Sequence, residues 1–157
     1  MALNVRLDGG GTANWSTPVR VGEDHWRANF ETFLLHRYTF PDGRKVYVRT
    51  RYAGVDDINT AGEVFNGFGS MEGSDSDGDW LHGKIEFEMN EPGSEDWGKA
   101  VYTFQYGTGK WKGVSGQIKG DLWAEPEKHD QVMPPTGPIR FWGFVEGEGE
   151  LDLPNYK

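Results

Sequence analysis

Residues 30–40 read FETFLLHRYTF, residues 44–52 read RKVYVRTRY, and PDG stands between them. Two runs rich in aromatic and β-branched residues, joined by three residues ending in glycine, predict a β-hairpin with a type I turn closed by a left-handed Gly43. That loop length sets the register. Phe40 faces Arg44, Tyr38 faces Val46, His36 faces Val48, Leu34 faces Thr50 and Thr32 faces Tyr52. Side chains alternate between the two faces of a strand, so Thr32, Leu34, His36, Tyr38, Val46, Val48, Thr50 and Tyr52 share one face, mostly apolar with a few hydroxyls. The opposite face carries Glu31, Arg37, Lys45, Arg49 and Arg51, with Phe33, Leu35 and Tyr47 among them. A four-residue loop would turn Val46 and Val48 to the wrong face, so the parity supports PDG.

Further strands follow at short intervals, over 62–73, 80–90, 99–106, 114–124 and 139–153. Residues 99–106 place Ala100, Tyr102, Phe104 and Tyr106 on one side. Residues 1–25, with their GGG, read as an N-terminal arm holding one short strand at 18–21. A single domain over 26–153 and a short tail over 154–157 complete the organisation, with a long loop at 124–138. Seven or eight short strands, turn signals between them and no convincing helix predict an all-β sandwich or barrel.

The segment YGTGKWKGVSGQIKG, residues 106–120, has glycines in the density of a phosphate-binding loop. Such a loop must open a helix, whose N-terminal amides bind the anion. Here the glycines lead into an alternating strand and lack the Lys-Ser/Thr pair, so the segment is a tight strand-to-strand turn.

Charge and composition remove other classes. The 157 residues include 25 acidic and 16 basic ones, a net charge of −9, which disfavours nucleic acid and anionic membrane as partners. The chain has no cysteine, which excludes disulfides and thiolate metal sites and fits a reducing compartment. No apolar run reaches the length of a membrane-spanning helix, and no leader-like segment opens the chain, so a soluble cytoplasmic protein is expected.

The run YTFQYGTGKWKGVSGQIKG, together with WLHGKIEFEMNEPGSEDWGKAVYTF before it, resembles the allene oxide cyclase-like and dirigent-like small β-barrels. In that group a strand enters a G-x-G-aromatic-x-G turn and leaves as a G-polar-aliphatic strand. The resemblance covers residues 62–124. It implies an eight-stranded antiparallel, calycin-like barrel with an apolar lumen, in proteins that are usually oligomeric. No position here matches the catalytic carboxylate of the oxylipin cyclases, so that activity is not carried over.

A barrel of eight strands encloses a space just wide enough for side chains or one small ligand. Leu34, Val48, Thr50, Phe104 and Tyr106 are the expected ligand walls. His36 is the one histidine that the register puts on the apolar face, where an imidazole can serve as acid or base. Tyr38, Tyr52 and Tyr102 are candidate proton donors beside it. In the last strand, alternation puts Ile139, Phe141, Gly143, Val145 and Leu151 inside and Arg140, Trp142, Phe144, Glu146, Glu148 and Glu150 outside. The reverse parity would bring Glu146 inside as a desolvated general base, with Trp142 as a ligand wall. Both parities stay open at this level.

DSDGDWLHGKIE, residues 75–86, imitates a calcium loop with Asp75, Asp77, Asp79 and Glu86. Trp80 occupies its obligatory glycine position and the second half alternates as a strand, so it reads as an acidic hairpin tip. His25, His82 and His129 have no zinc-like spacing, and neither metal nor cofactor is expected. Phe33, Leu35 and Tyr47 on the outer face suggest a homodimer or homotrimer. The expected function is a cofactor-independent isomerisation, cyclisation or elimination on a hydrophobic small molecule in the lumen. The alternatives are a non-catalytic, lipocalin-like carrier of such a molecule, and a barrel filled by its own side chains.

Overall fold

The computed structural model describes residues 2–89, 98–127 and 134–157. The strands are β1 (Ala2–Trp15), β2 (Val19–Gly22), β3 (His25–Thr39), β4 (Lys45–Ile58), β5 (Val64–Asp75), β6 (Trp80–Met89), β7 (Gly98–Gly107), β8 (Ser115–Pro126) and β9 (Ile139–Asp152). They pair antiparallel in the order β1-β9-β8-β7-β6-β5-β4-β3, and β1 pairs again with β3. Eight strands therefore close into a barrel, as expected, and the short β2 is added at the start of β3. Among the described residues the only helical turn is a 3-10 turn at Gly109–Trp111, between β7 and β8. The glycine-rich segment is thus a strand connection. None of the described helices is long and apolar enough to cross a membrane. His129 lies outside the described residues.

The β3–β4 hairpin has the register dictated by PDG, with His36 opposite Val48 and Thr32 opposite Tyr52, and Gly43 at φ +86°. Both strands run further than the alternating pattern suggested, β3 back to His25 and β4 on to Ile58.

The segment read as an N-terminal arm is, over its described residues, part of the sheet. Ala2–Trp15 is the strand that closes the barrel, in register with β9 along its length and with β3 from Arg6 to Trp15. Its inward positions are Val5, Leu7, Gly9, Gly11, Ala13 and Trp15. The two inward glycines are what let the seam close. A Cβ at Gly9 would lie 2.1 Å from the Leu35 carbonyl oxygen, and one at Gly11 would lie 2.0 Å from that of Phe33. The residues that make the segment look unstructured are the ones the sharp curvature of a small barrel requires.

One end of the barrel is plugged. Trp111 is wholly buried there, its ring 5.3 Å from that of Tyr38, and Tyr156 of the C-terminal tail stacks on Phe40 at 4.5 Å. The calcium-like loop lies at the same end, and its cation is internal. Lys110 Nζ sits 2.6 Å from Asp75, 3.0 Å from Asp77 and 2.8 Å from Asp79. Burial works to raise the pKa of Asp75, but the bonds from Lys110, from the Trp111 indole and from backbone amides hold it below the ordinary carboxylate value. Lys110→Met leaves the buried Asp75 carboxylate without its counter-ion. It is expected to cost about 3 kcal/mol in urea unfolding at pH 7, and an unchanged midpoint would contradict this account.

Candidate functional site

The middle of the lumen is occupied by four polar rings. His36, Tyr38 and Tyr102 are wholly buried and Tyr52 is 1% exposed. Tyr38 and His36 alternate inward on β3, Tyr52 lies opposite Thr32 on β4, and Tyr102 reaches in from β7. Tyr38 Oη is 3.3 Å from His36 Nδ1, Tyr52 Oη bonds His36 Nε2, and Tyr52 donates to Tyr102 Oη at 2.8 Å. One proton order satisfies this chain. Tyr38 donates to Nδ1, the Nε2–H donates to Tyr52, and Tyr52 donates to Tyr102. Burial lowers the pKa of His36 to about 3, against a small opposing pull from Asp8, so the imidazole is neutral. Burial likewise drives the pKa values of Tyr38, Tyr52 and Tyr102 upward. Both ring nitrogens of His36 are engaged, so the residue chosen from sequence as the acid or base acts as a clamp inside a closed network.

The open space lies at the other mouth. A pocket with a free volume of about 50 Å³ is lined by Ala13, Trp15, Phe30, Thr32, Leu34, Tyr52, Asp56, Phe87, Leu122, Ala124, Phe141 and Gly143. Its walls are aromatic and aliphatic, and among the described residues its one ionisable carboxyl is Asp56, which is 5% exposed. Alternation along β4 carries the inward face from Tyr52 through Gly54 to Asp56. The Trp15 indole N–H donates to Asp56 Oδ2 at 2.7 Å, while among the described residues Oδ1 has no hydrogen-bond partner. Gly67 on β5 leaves the room for Oδ1, since a Cβ there would come within 2.4 Å of it. Burial raises the Asp56 pKa to about 7, the Trp15 bond opposes that rise, and the negative charge of Asp57 adds to it.

Asp57 is aimed the other way. It accepts from Arg27 at 2.8 Å and from Asn66 at 3.3 Å, and it lies 2.8 Å from His25 Nε2. Adjacent carboxyls on one strand thus differ. The outward one is paired and ionised, and the inward one is isolated enough to exchange its proton near neutrality.

The chain matches no protein-family model, no curated protein and no solved structure. What the site does must be read from its geometry.

The structure redistributes the residues chosen from sequence. Leu34 and Tyr52 line the mouth pocket, while Val48, Thr50 and Phe104 pack in the lumen outside it. Tyr106 is not a lumen residue. Tyr106 pairs with His82 and Phe104 with Gly83, so Gln105 is an extra residue, a β-bulge that reverses the alternation. Tyr106 is therefore 59% exposed and stacks on His82 at 4.4 Å. Glu146 and Trp142 also lie outside. Phe141, Val145 and Leu151 hold the buried positions of β9, and Trp142 is 54% exposed. Neither Glu146 as an internal base nor Trp142 as a lumen wall survives that parity. Sequence reasoning missed Asp56 and Trp15. The signal for Asp56 is present in RYAGVDD, where the inward alternation of Tyr52 continues to Asp56 four residues on.

Proposed function

We propose that the protein is a small barrel enzyme acting on the apolar end of a small molecule held in the mouth pocket, with Asp56 as general acid and base. The reaction class is a cofactor-independent isomerisation, cyclisation or elimination. One observation carries this reading: a buried carboxyl with a pKa of about 7, and with one oxygen that has no partner among the described residues, stands among aromatic walls. A catalytic pKa near the operating pH makes both protonation states available. The Trp15 indole holds Oδ2, leaving Oδ1 as the atom that exchanges the proton. As carboxylate, Oδ1 takes a proton from an acidified carbon or hydroxyl. As acid, it returns that proton to another atom of the same molecule, so nothing is consumed. Apolar walls exclude water from the exchange and confine the substrate's conformations. A free volume near 50 Å³ accommodates an end group, with the remainder of the molecule at the mouth.

The carrier reading shares the same pocket, and proton exchange separates the two. Purified protein is incubated in deuterium oxide with a panel of apolar carbonyl compounds, polyenes and phenolics, and the recovered compounds are weighed by mass spectrometry. Deuterium uptake or isomerisation is expected with the wild type and at least about 100-fold less with Asp56→Asn. Retention of a compound on the protein without exchange would replace the enzyme by a carrier. No retention and no exchange would leave a barrel acting through its surface.

A homo-oligomer is part of the proposal, supported by Trp123, Trp142 and Phe144, which stand exposed and adjacent on β8 and β9. Trp142→Glu is expected to shift the sedimentation coefficient to that of the monomer. A wild type that already sediments as a monomer removes this part.

A further inference from the structure

A groove of about 370 Å³ crosses the outer wall over β3, β4, β5 and β6, away from the mouth pocket. The pairing registers put Leu35, Arg49, Ser74 and Trp80 in one row across those four strands. Leu35 is 52% exposed and Trp80 46%, so the row has an apolar wall at each end. The Trp80 indole is backed by His82, stacked at 6.1 Å, and His82 by Tyr106 at 4.4 Å, which fixes the orientation of that wall.

The floor carries a charge that the groove does not use. The groove's other charged lining residues, Arg51 and Glu72, lie 3.8 Å apart, and Arg51 also pairs with Glu31 beside it. Among the described residues Arg49 makes no ion pair, and its one side-chain hydrogen bond is a 3.5 Å contact to Ser74 Oγ. In a chain with a net charge of −9, Arg49 offers an anion a cation between apolar walls. Bidentate pairing with a carboxylate is the interaction a guanidinium makes best. Arg49 and Trp80 are two strand spacings apart, about 10 Å, the reach of a medium hydrocarbon chain.

We infer that this groove binds an amphipathic carboxylate, with its head on Arg49 and Ser74 and its hydrocarbon laid across the Trp80 indole. The site is independent of Asp56 and of any reaction at the mouth.

Calorimetric titration of the full chain with sodium octanoate, with octyltrimethylammonium as the chain of opposite charge, tests this. One octanoate per chain is expected, with affinity about tenfold weaker in Arg49→Gln and falling with added salt. The Trp80 indole N–H resonance, assigned through Trp80→Phe, should shift on titration. Asp56→Asn should leave all of this unchanged, so failure at the mouth and failure at the groove are separable. Equal binding of the cationic chain, an unaltered affinity in Arg49→Gln, or octanoate that shifts resonances elsewhere but not Trp80 would overturn the assignment. So would a sedimenting oligomer in which Trp80 is protected from solvent before any ligand is added.

Discussion

Asp56→Asn is expected to make the protein acid-labile while leaving it at least as stable as the wild type at pH 8. Two buried groups with opposite linkage produce this. Burial depresses the pKa of His36 from 6.5 to about 3, so between those values the unfolded chain binds the extra proton and stability is lost as pH falls. Burial raises that of Asp56 from 3.8 to about 7, so the folded chain binds the extra proton and stability is lost as pH rises through that window. Each slope is about 1.4 kcal/mol per pH unit. They overlap from pH 3.8 to 6.5 and cancel there, leaving the wild type nearly flat in these two contributions. Asparagine keeps an acceptor for the Trp15 indole and cannot ionise. The variant therefore exposes the His36 slope, about 4 kcal/mol of stability lost between pH 6.5 and 3.8. His36→Gln exposes the opposite one, with stability falling from pH 4 to pH 7. Urea unfolding at five pH values across this range measures both. A variant curve parallel to the wild-type curve would mean that Asp56 titrates normally and would remove the basis for its catalytic role.

The three consecutive glycines of β1 should respond very unequally to alanine. At Gly11 the new methyl would sit 2.0 Å from the Phe33 carbonyl oxygen, on a backbone that is itself paired on both sides. No side-chain rotation relieves that contact, so β1 must separate from β3. A cost above about 4 kcal/mol is expected, in the range where single substitutions prevent folding. At Gly10 the methyl would point outward, 3.2 Å from the Gly143 oxygen and the Phe144 ring. The ring can give, and about 1 kcal/mol is expected. Gly137→Ala meets nothing within 4 Å and serves as the control. Melting temperatures of the three variants should fall in the order Gly137→Ala, Gly10→Ala, Gly11→Ala. Similar losses at Gly10 and Gly11 would show that the seam does not depend on the inward glycines.

The chemical consequence of the fold is a division of labour along the barrel. At the plugged end Lys110 bridges the three carboxylates of the acidic tip and Trp111 fills the bore. In the middle the Tyr38–His36–Tyr52–Tyr102 chain satisfies its own polar groups, which fixes the packing of the lumen. Among the described residues of the lumen, it is Asp56 at the open mouth that sets a titratable group against apolar space.

Local sequence was enough for whatever depends on period two and on turn length. PDG determined the β3–β4 register, and with it the inward placement of His36, Tyr38 and Tyr52. Tyr102 followed from alternation alone, whereas the buried face of β9 stayed open between two parities until the structure put Phe141, Val145 and Leu151 inside. Strand number and spacing predicted an all-β sandwich or barrel, and the resemblance to the small β-barrels is what pointed to the barrel. Tertiary structure decided the rest, because the deciding contacts join residues far apart in the chain. A single bulge at Gln105 turned Tyr106 outward, and a bulge is defined by the partner strand. The glycines of β1 look like disorder until Phe33 and Leu35 on β3 show why no Cβ fits. His36 became a clamp because tyrosines from β3 and β4 claim both its nitrogens. Asp56 became the site because Trp15 takes one of its oxygens, Gly67 makes room for the other, and burial among aromatic walls brings its proton into play near neutral pH.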